Sequence, residues 1–93
     1  MNLKISYSKE ADKFLKKNSD NIAEDEVDSL IIIAVRKILK IKEAHVDLKK
    51  LKGKYRGSFR IRKGDIRIVF SLRKEDTPIA LIQDIDFRGN VYK

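Results

Sequence analysis

Arg60, Arg62 and Arg67 are spaced as a grip for phosphate. They lie in Ser58-Phe59-Arg60-Ile61-Arg62-Lys63-Gly64-Asp65-Ile66-Arg67-Ile68-Val69-Phe70, where apolar and cationic residues alternate around a Gly-Asp pair. Two stretches of period two joined by a two-residue turn make a β-hairpin. With Gly64-Asp65 as the turn, Arg62 faces Arg67, Ile61 faces Ile68 and Phe59 faces Phe70. Alternation then puts Phe59, Ile61, Ile68 and Phe70 on one sheet face and the three arginines on the other. Guanidinium groups crowded on one face repel each other unless an anion joins them, and Arg is the side chain best shaped to hold a phosphate bidentately. The pattern predicts a phosphate-facing surface, and phosphate here points to nucleic acid.

The flanks carry the same sign. Nine of the nineteen residues from Lys49 to Arg67 are basic, and only Asp65 is acidic. Lys49, Lys50, Lys52, Lys54 and Arg56 precede the hairpin and Lys63 sits at its turn. Such a run is often just a solvated linker. Beside an arginine face it is expected to hold nucleic-acid backbone, with strong salt dependence. The net charge of +8 is unevenly placed: residues 1–50 carry 11 basic and 9 acidic side chains, and residues 51–93 carry 11 and 5. The excess is therefore localised.

The elements that must position these residues are legible from periodicity. Leu3, Ile5 and Tyr7 alternate with polar residues and predict a short opening strand. Ser8 is a good N-cap for a helix over Lys9–Lys17, with Ala11, Phe14 and Leu15 as its apolar stripe. Asp20 is placed to cap a second helix from about Ile22 to Ile41. The acidic residues of that helix come first and its basic residues last, as the macrodipole favours. A linker over Glu43–Lys50 leads to the hairpin of 58–72, a polar turn at Arg73–Pro78 and a strand over Ile79–Phe87. The order β-α-α-β-β-β predicts an α+β fold, one domain over residues 1–93. A helical hairpin packs on one face of a small, twisted, mostly antiparallel sheet, and the arginines lie on the open face. Ninety-three residues leave no room for a second core. The absence of cysteine and of a long apolar N-terminal stretch fits a protein of the reducing cytoplasm. The longest apolar run, Leu30 to Val35, is too short to span a bilayer.

Taken together, the opening strand and helical hairpin, the Leu51-Lys52-Gly53 lead-in, the Phe59–Phe70 hairpin and the tail Arg88-Gly89-Asn90-Val91-Tyr92 resemble the RelE/ParE toxin superfamily of type II toxin–antitoxin systems. The resemblance covers nearly the whole chain. It implies a growth-arresting protein restrained by a cognate antitoxin. RelE-type members act with the ribosome and cut mRNA, whereas ParE-type members inhibit DNA gyrase. Arg60 and Arg62 match the two basic positions of the first hairpin strand, and Arg67 matches that of the second. Tyr92 matches the C-terminal tyrosine that works near the scissile phosphate, and Arg88 falls in the cationic cluster before it. Two positions depart from the pattern: Arg stands on the first strand where relatives often have Lys, and Phe87 stands where many have His. The leading expectation is a ribosome-dependent endoribonuclease needing no metal or other cofactor. A ParE-type gyrase inhibitor and a plain RNA-binding module are the alternatives.

Cleavage of this kind uses the 2′-hydroxyl as nucleophile. It needs a proton acceptor, charge to stabilise the phosphorane-like transition state and a proton donor for the leaving oxygen. The arginines suit the second task but stay protonated, with a pKa above about 12. His45, the only histidine, is expected in the linker, away from Arg60. Asp84 and Asp86 alternate on the last strand and are placed to pair with Arg67 or Arg88. Two carboxylates on one strand make a poor metal site, and Asp86 is a minor option as general base. Ile31-Ile32-Ile33 wraps beyond the buried stripe, so Ile32 or Ile33 is expected to face a partner.

Overall fold

The computed structural model describes residues 2–41, 43 and 45–87. Its elements are β1 (Lys4–Tyr7), α1 (Lys9–Lys17), α2 (Glu24–Ile38), β2 (Asp47–Lys50), β3 (Ser58–Lys63), β4 (Ile66–Arg73) and β5 (Ile79–Phe87), with a 3-10 turn over Gly53–Tyr55. The five strands form one sheet in the order β1-β5-β4-β3-β2. Only the β1–β5 pair is parallel. This is the expected α+β arrangement with one strand more than the sequence pattern predicts.

The added strand is β2. Residues 43–50 were expected to be a linker, but Asp47–Lys50 pairs antiparallel with β3, with Asp47 opposite Arg62 and Lys49 opposite Arg60. Asp-Leu-Lys-Lys has a single apolar residue, so alternation cannot announce it. The strand forms because β3 offers a free edge. The second helix is also shorter than expected. It begins at Glu24 behind Ala23, which makes no side-chain cap, so Asp20 does not cap it. Ser8 does cap α1: its Oγ accepts from the Ala11 amide at 3.1 Å.

The helices and one sheet face share the core. Ala11 and Leu15 of α1 and Val27, Ile31, Ala34 and Val35 of α2 pack against Ile61, Ile66, Ile68, Phe70, Ala80, Ile82 and Ile85. Phe59 and Phe70 stack with ring centroids 5.6 Å apart, as the hairpin register requires. Leu30, Ile38 and Leu39 pack at the margin of the same core, Ile32 is half-buried, and Ile33 is the helix residue that turns outward.

The β4–β5 pairing contains a bulge. Val69 pairs with Asp84 and Phe70 with Ile82, which leaves Gln83 as the extra residue on β5. Beyond it Ile85 is directed to the core, while Asp84 and Asp86 share the face of the arginines. That face is not bare. Leu51 and Val69 form a small second cluster there, with Tyr55 packed against it.

A candidate phosphate-binding groove

The Gly64-Asp65 turn sets the register of the site. Gly64 has φ +58° and Asp65 is not in the left-handed region, the pattern of a Gly-X hairpin turn. Arg62 then pairs with Arg67, Ile61 with Ile68 and Phe59 with Phe70, as expected. Two rows of side chains cross the open face. One reads Lys49, Arg60, Val69, Asp84; the other reads Asp47, Arg62, Arg67, Asp86. Neighbours in a row stand one strand apart, about 4.8 Å.

The second row corrects the expectation of three mutually repelling arginines. Asp47 supplies the missing anion. Its Oδ1 lies 3.0 Å from Nη2 of Arg60 and its Oδ2 lies 3.0 Å from Nε of Arg62. Arg67 is buried, 5% exposed, between Arg62 on one side and Asp86 on the other. Asp86 also accepts a hydrogen bond from the Phe87 amide at 2.7 Å. Sequence reasoning missed Asp47 because its strand was not visible; the signal available was a lone acidic residue two positions before the Lys49-Lys50 pair.

Arg60 and Arg67 line a groove of about 410 Å³ together with Lys49, Lys50, Leu51 and Lys52. Five of the expected nucleic-acid and catalytic positions therefore meet in a single depression with one apolar residue, Leu51. The Arg60 side chain is 11% exposed, and its Nε is buried with no hydrogen-bond acceptor among the described residues. Lys50 and Lys52 also line a second, more apolar depression with Arg56. Lys54 turns to the Tyr55 ring, 5.2 Å from its centroid. Lys63 is not part of this groove. It lies at the far end of the hairpin beside Asp20, Asn21 and Glu26 of the helical side. Arg88 and Tyr92 lie outside the described residues. His45 is exposed in the segment preceding β2.

Asp84 is half-buried on the open face, two strands from Arg60. Burial pushes its carboxyl above the ordinary value, and the charge of Asp86 adds to the shift. A backbone hydrogen bond from Ile85 opposes it, and Glu10 adds slightly. Among the described residues, no group of three or more His, Asp or Glu side chains is arranged to hold a metal.

Chemically, the groove is a cation cluster on the sheet, with Leu51 beside it and a buried N–H donor that has no acceptor among the described residues. Such an arrangement can hold an anion and stabilise negative charge developing on it. Among the described residues the carboxylate in contact with Arg60 is Asp47, which is engaged by both Arg60 and Arg62.

No protein-family model and no curated protein matches the chain. Solved structures do. The chain is similar to a metal-bound toxin from Helicobacter pylori, 20% identical, covering 96% of this chain and 98% of that one at a TM-score of 0.68. YafQ from E. coli strain BL21(DE3) is 12% identical, with 98% and 99% covered and a TM-score of 0.67. The RelB–RelE antitoxin–toxin complex from Methanococcus jannaschii provides a chain 24% identical, with 94% of each covered and a TM-score of 0.55. End-to-end coverage at this level of identity is agreement of backbone path. The chain is thus built on the fold of the RelE-type toxins.

Proposed function

We propose that this protein is the toxin of a type II toxin–antitoxin system and a ribosome-dependent endoribonuclease of the RelE type. The observation that carries the reading is the groove of Lys49, Lys50, Lys52, Arg60 and Arg67 on the open face of a RelE-type sheet. YafQ and RelE have been crystallised with antitoxins, DinJ and RelB. That pairing supports a cognate antitoxin for this chain as well.

In this reading the mRNA backbone enters the groove, and Lys49, Lys50 and Lys52 hold flanking phosphates. Arg60 and Arg67 face the scissile phosphate, with Arg62 beside them, and stabilise the dianionic phosphorane as it forms. The 2′-hydroxyl attacks the phosphorus and the 5′-oxygen departs, leaving a 2′,3′-cyclic phosphate. Arg88 and Tyr92 close the site from the tail. Proton transfer falls to the tail, to water or to the ribosome, because the groove lining, Leu51 apart, is cationic and Asp47 is engaged by two arginines.

Primer extension on a defined mRNA in a purified translation system tests this. New cuts within A-site codons, absent without ribosomes and lost in Arg60→Ala and Tyr92→Ala, support the reading. Intact message overturns it. A gyrase supercoiling assay then tests the ParE-type alternative, which uses the same fold without the cleavage chemistry.

A further inference from the structure

Asp47 contacts two of the arginines that an incoming phosphate would engage. It spreads its two oxygens over two arginines, one contact each at 3.0 Å. Neither contact is the two-bond fork that Arg makes with its best anions. On Arg60 the edge formed by Nη2 and Nε is half used, since Nη2 meets Asp47 and Nε has no acceptor among the described residues. Asp47 itself is 44% exposed, on the short outer strand β2 of the sheet. A carboxylate held so loosely in a cation cluster is displaceable. A phosphate has more oxygens to offer, and taking the full Arg60 edge would satisfy the donor that Asp47 leaves unmet.

We propose that Asp47 is an internal phosphate mimic: it holds Arg60 and Arg62 in the unliganded protein and is displaced by the substrate phosphate. It acts as a positioning residue that lowers affinity for stray anions and keeps the two guanidinium groups from repelling each other. Identifying the displacing anion with RNA backbone rests on the function proposed above; the exchange itself does not. Asp86 stands opposite Arg67, and the exchange is confined to the Arg60 and Arg62 side of the groove.

The test is a titration of the full chain with inorganic phosphate, following the Arg60 and Arg62 Nε–H signals by NMR. Asp47→Asn keeps the shape of the side chain and removes its charge. Phosphate should bind this variant about three- to tenfold more tightly than wild type, the scale set by two partly exposed ion pairs. Asp47→Glu restores the charge and should return affinity toward the wild-type value. A short single-stranded RNA should follow the same order, and in the cleavage assay Asp47→Asn should lower KM while kcat holds. Equal or weaker phosphate binding by Asp47→Asn, with its circular dichroism unchanged, overturns the proposal. Asp47→Ser serves as a second neutral variant if Asn perturbs the strand. A gain in phosphate affinity without any message cleavage leaves the exchange standing and removes the endoribonuclease reading. Cleavage at A-site codons with no gain in phosphate affinity does the reverse.

Discussion

Ser58 reaches across β4 to donate its hydroxyl to Oε1 of Gln83 at 2.8 Å, joining the first residue of β3 to the bulge residue of β5. The Ser58 carbonyl also accepts from the Leu51 amide at 3.0 Å, which closes the basic loop between them. Gln83 is fixed from the other side by the Ser8 hydroxyl, which donates to its carbonyl at 2.8 Å. Two serines thus pin the bulge. Ser58 is 4% exposed, so Ser58→Ala leaves a polar atom of Gln83 short of its donor. The expected cost is about 1–2 kcal/mol. Urea unfolding measures it, and no change in midpoint would mean that the bulge holds without this bond.

Tyr7 ties β1 to α2 by donating its hydroxyl to Oδ1 of Asp28. Burial, followed by that bond and the charges of Asp28, Glu24 and Asp25, holds the phenol far above its ordinary value. The folded state then keeps a proton that the unfolded state gives up above pH about 10. The contribution is therefore whole below that pH and declines as pH rises past it. Tyr7→Phe should cost about 1–2 kcal/mol at neutral pH. It should also flatten the alkaline arm of the stability curve, which thermal melts from pH 8 to 11 would display; an unchanged alkaline slope would locate the titration elsewhere.

Lys40 has φ +58° just past the end of α2. Its amide donates to the Lys37 carbonyl at 3.1 Å and the Ile41 amide donates to the Arg36 carbonyl at 2.9 Å. These two bonds are those of a Schellman motif with Lys at the position that favours glycine. Lys40→Gly should therefore stabilise the protein by about 1 kcal/mol, since a Cβ in the left-handed region costs about that much. A lowered melting temperature would show that the lysine side chain compensates for its strain.

Alternation and capping made most of this molecule legible in advance. The hairpin register followed from Gly64-Asp65 and the spacing of Phe59, Ile61, Ile68 and Phe70, because a one-residue slip would bury arginines. The Ser8 cap was legible because Ala11 and Leu15 fix the helix that needs it. What stayed hidden depends on neighbours rather than on local pattern. Asp47 joins the sheet only because β3 has an edge to share, and four residues with one apolar side chain carry no period. The Gln83 bulge was concealed because Ile79–Phe87 reads as one strand, although Ile82 and Ile85 break the period of two. The arginines were identified by type, but their partition was not. Arg62 is exposed and Arg67 is buried, a difference created by the strands on either side.

That partition shapes how mutants of the groove must be interpreted. Arg67 is 5% exposed and stands opposite Asp86, whereas the Arg62 side chain is 46% exposed and pairs at the rim with Asp47. A charge buried that deeply is retained only when compensated, so deleting it leaves its buried surroundings without their partner. Arg67→Ala should therefore cost about 3 kcal/mol or more in stability. Arg62→Ala should cost less than about 1 kcal/mol. Loss of RNA cleavage in Arg67→Ala would then mix unfolding with lost electrostatics, while loss in Arg62→Ala would report on the cation cluster at the rim of the groove. Urea unfolding run beside the cleavage assay separates the two. If Arg67→Ala proves as stable as wild type yet inactive, the buried guanidinium serves the transition state and the fold does not depend on it.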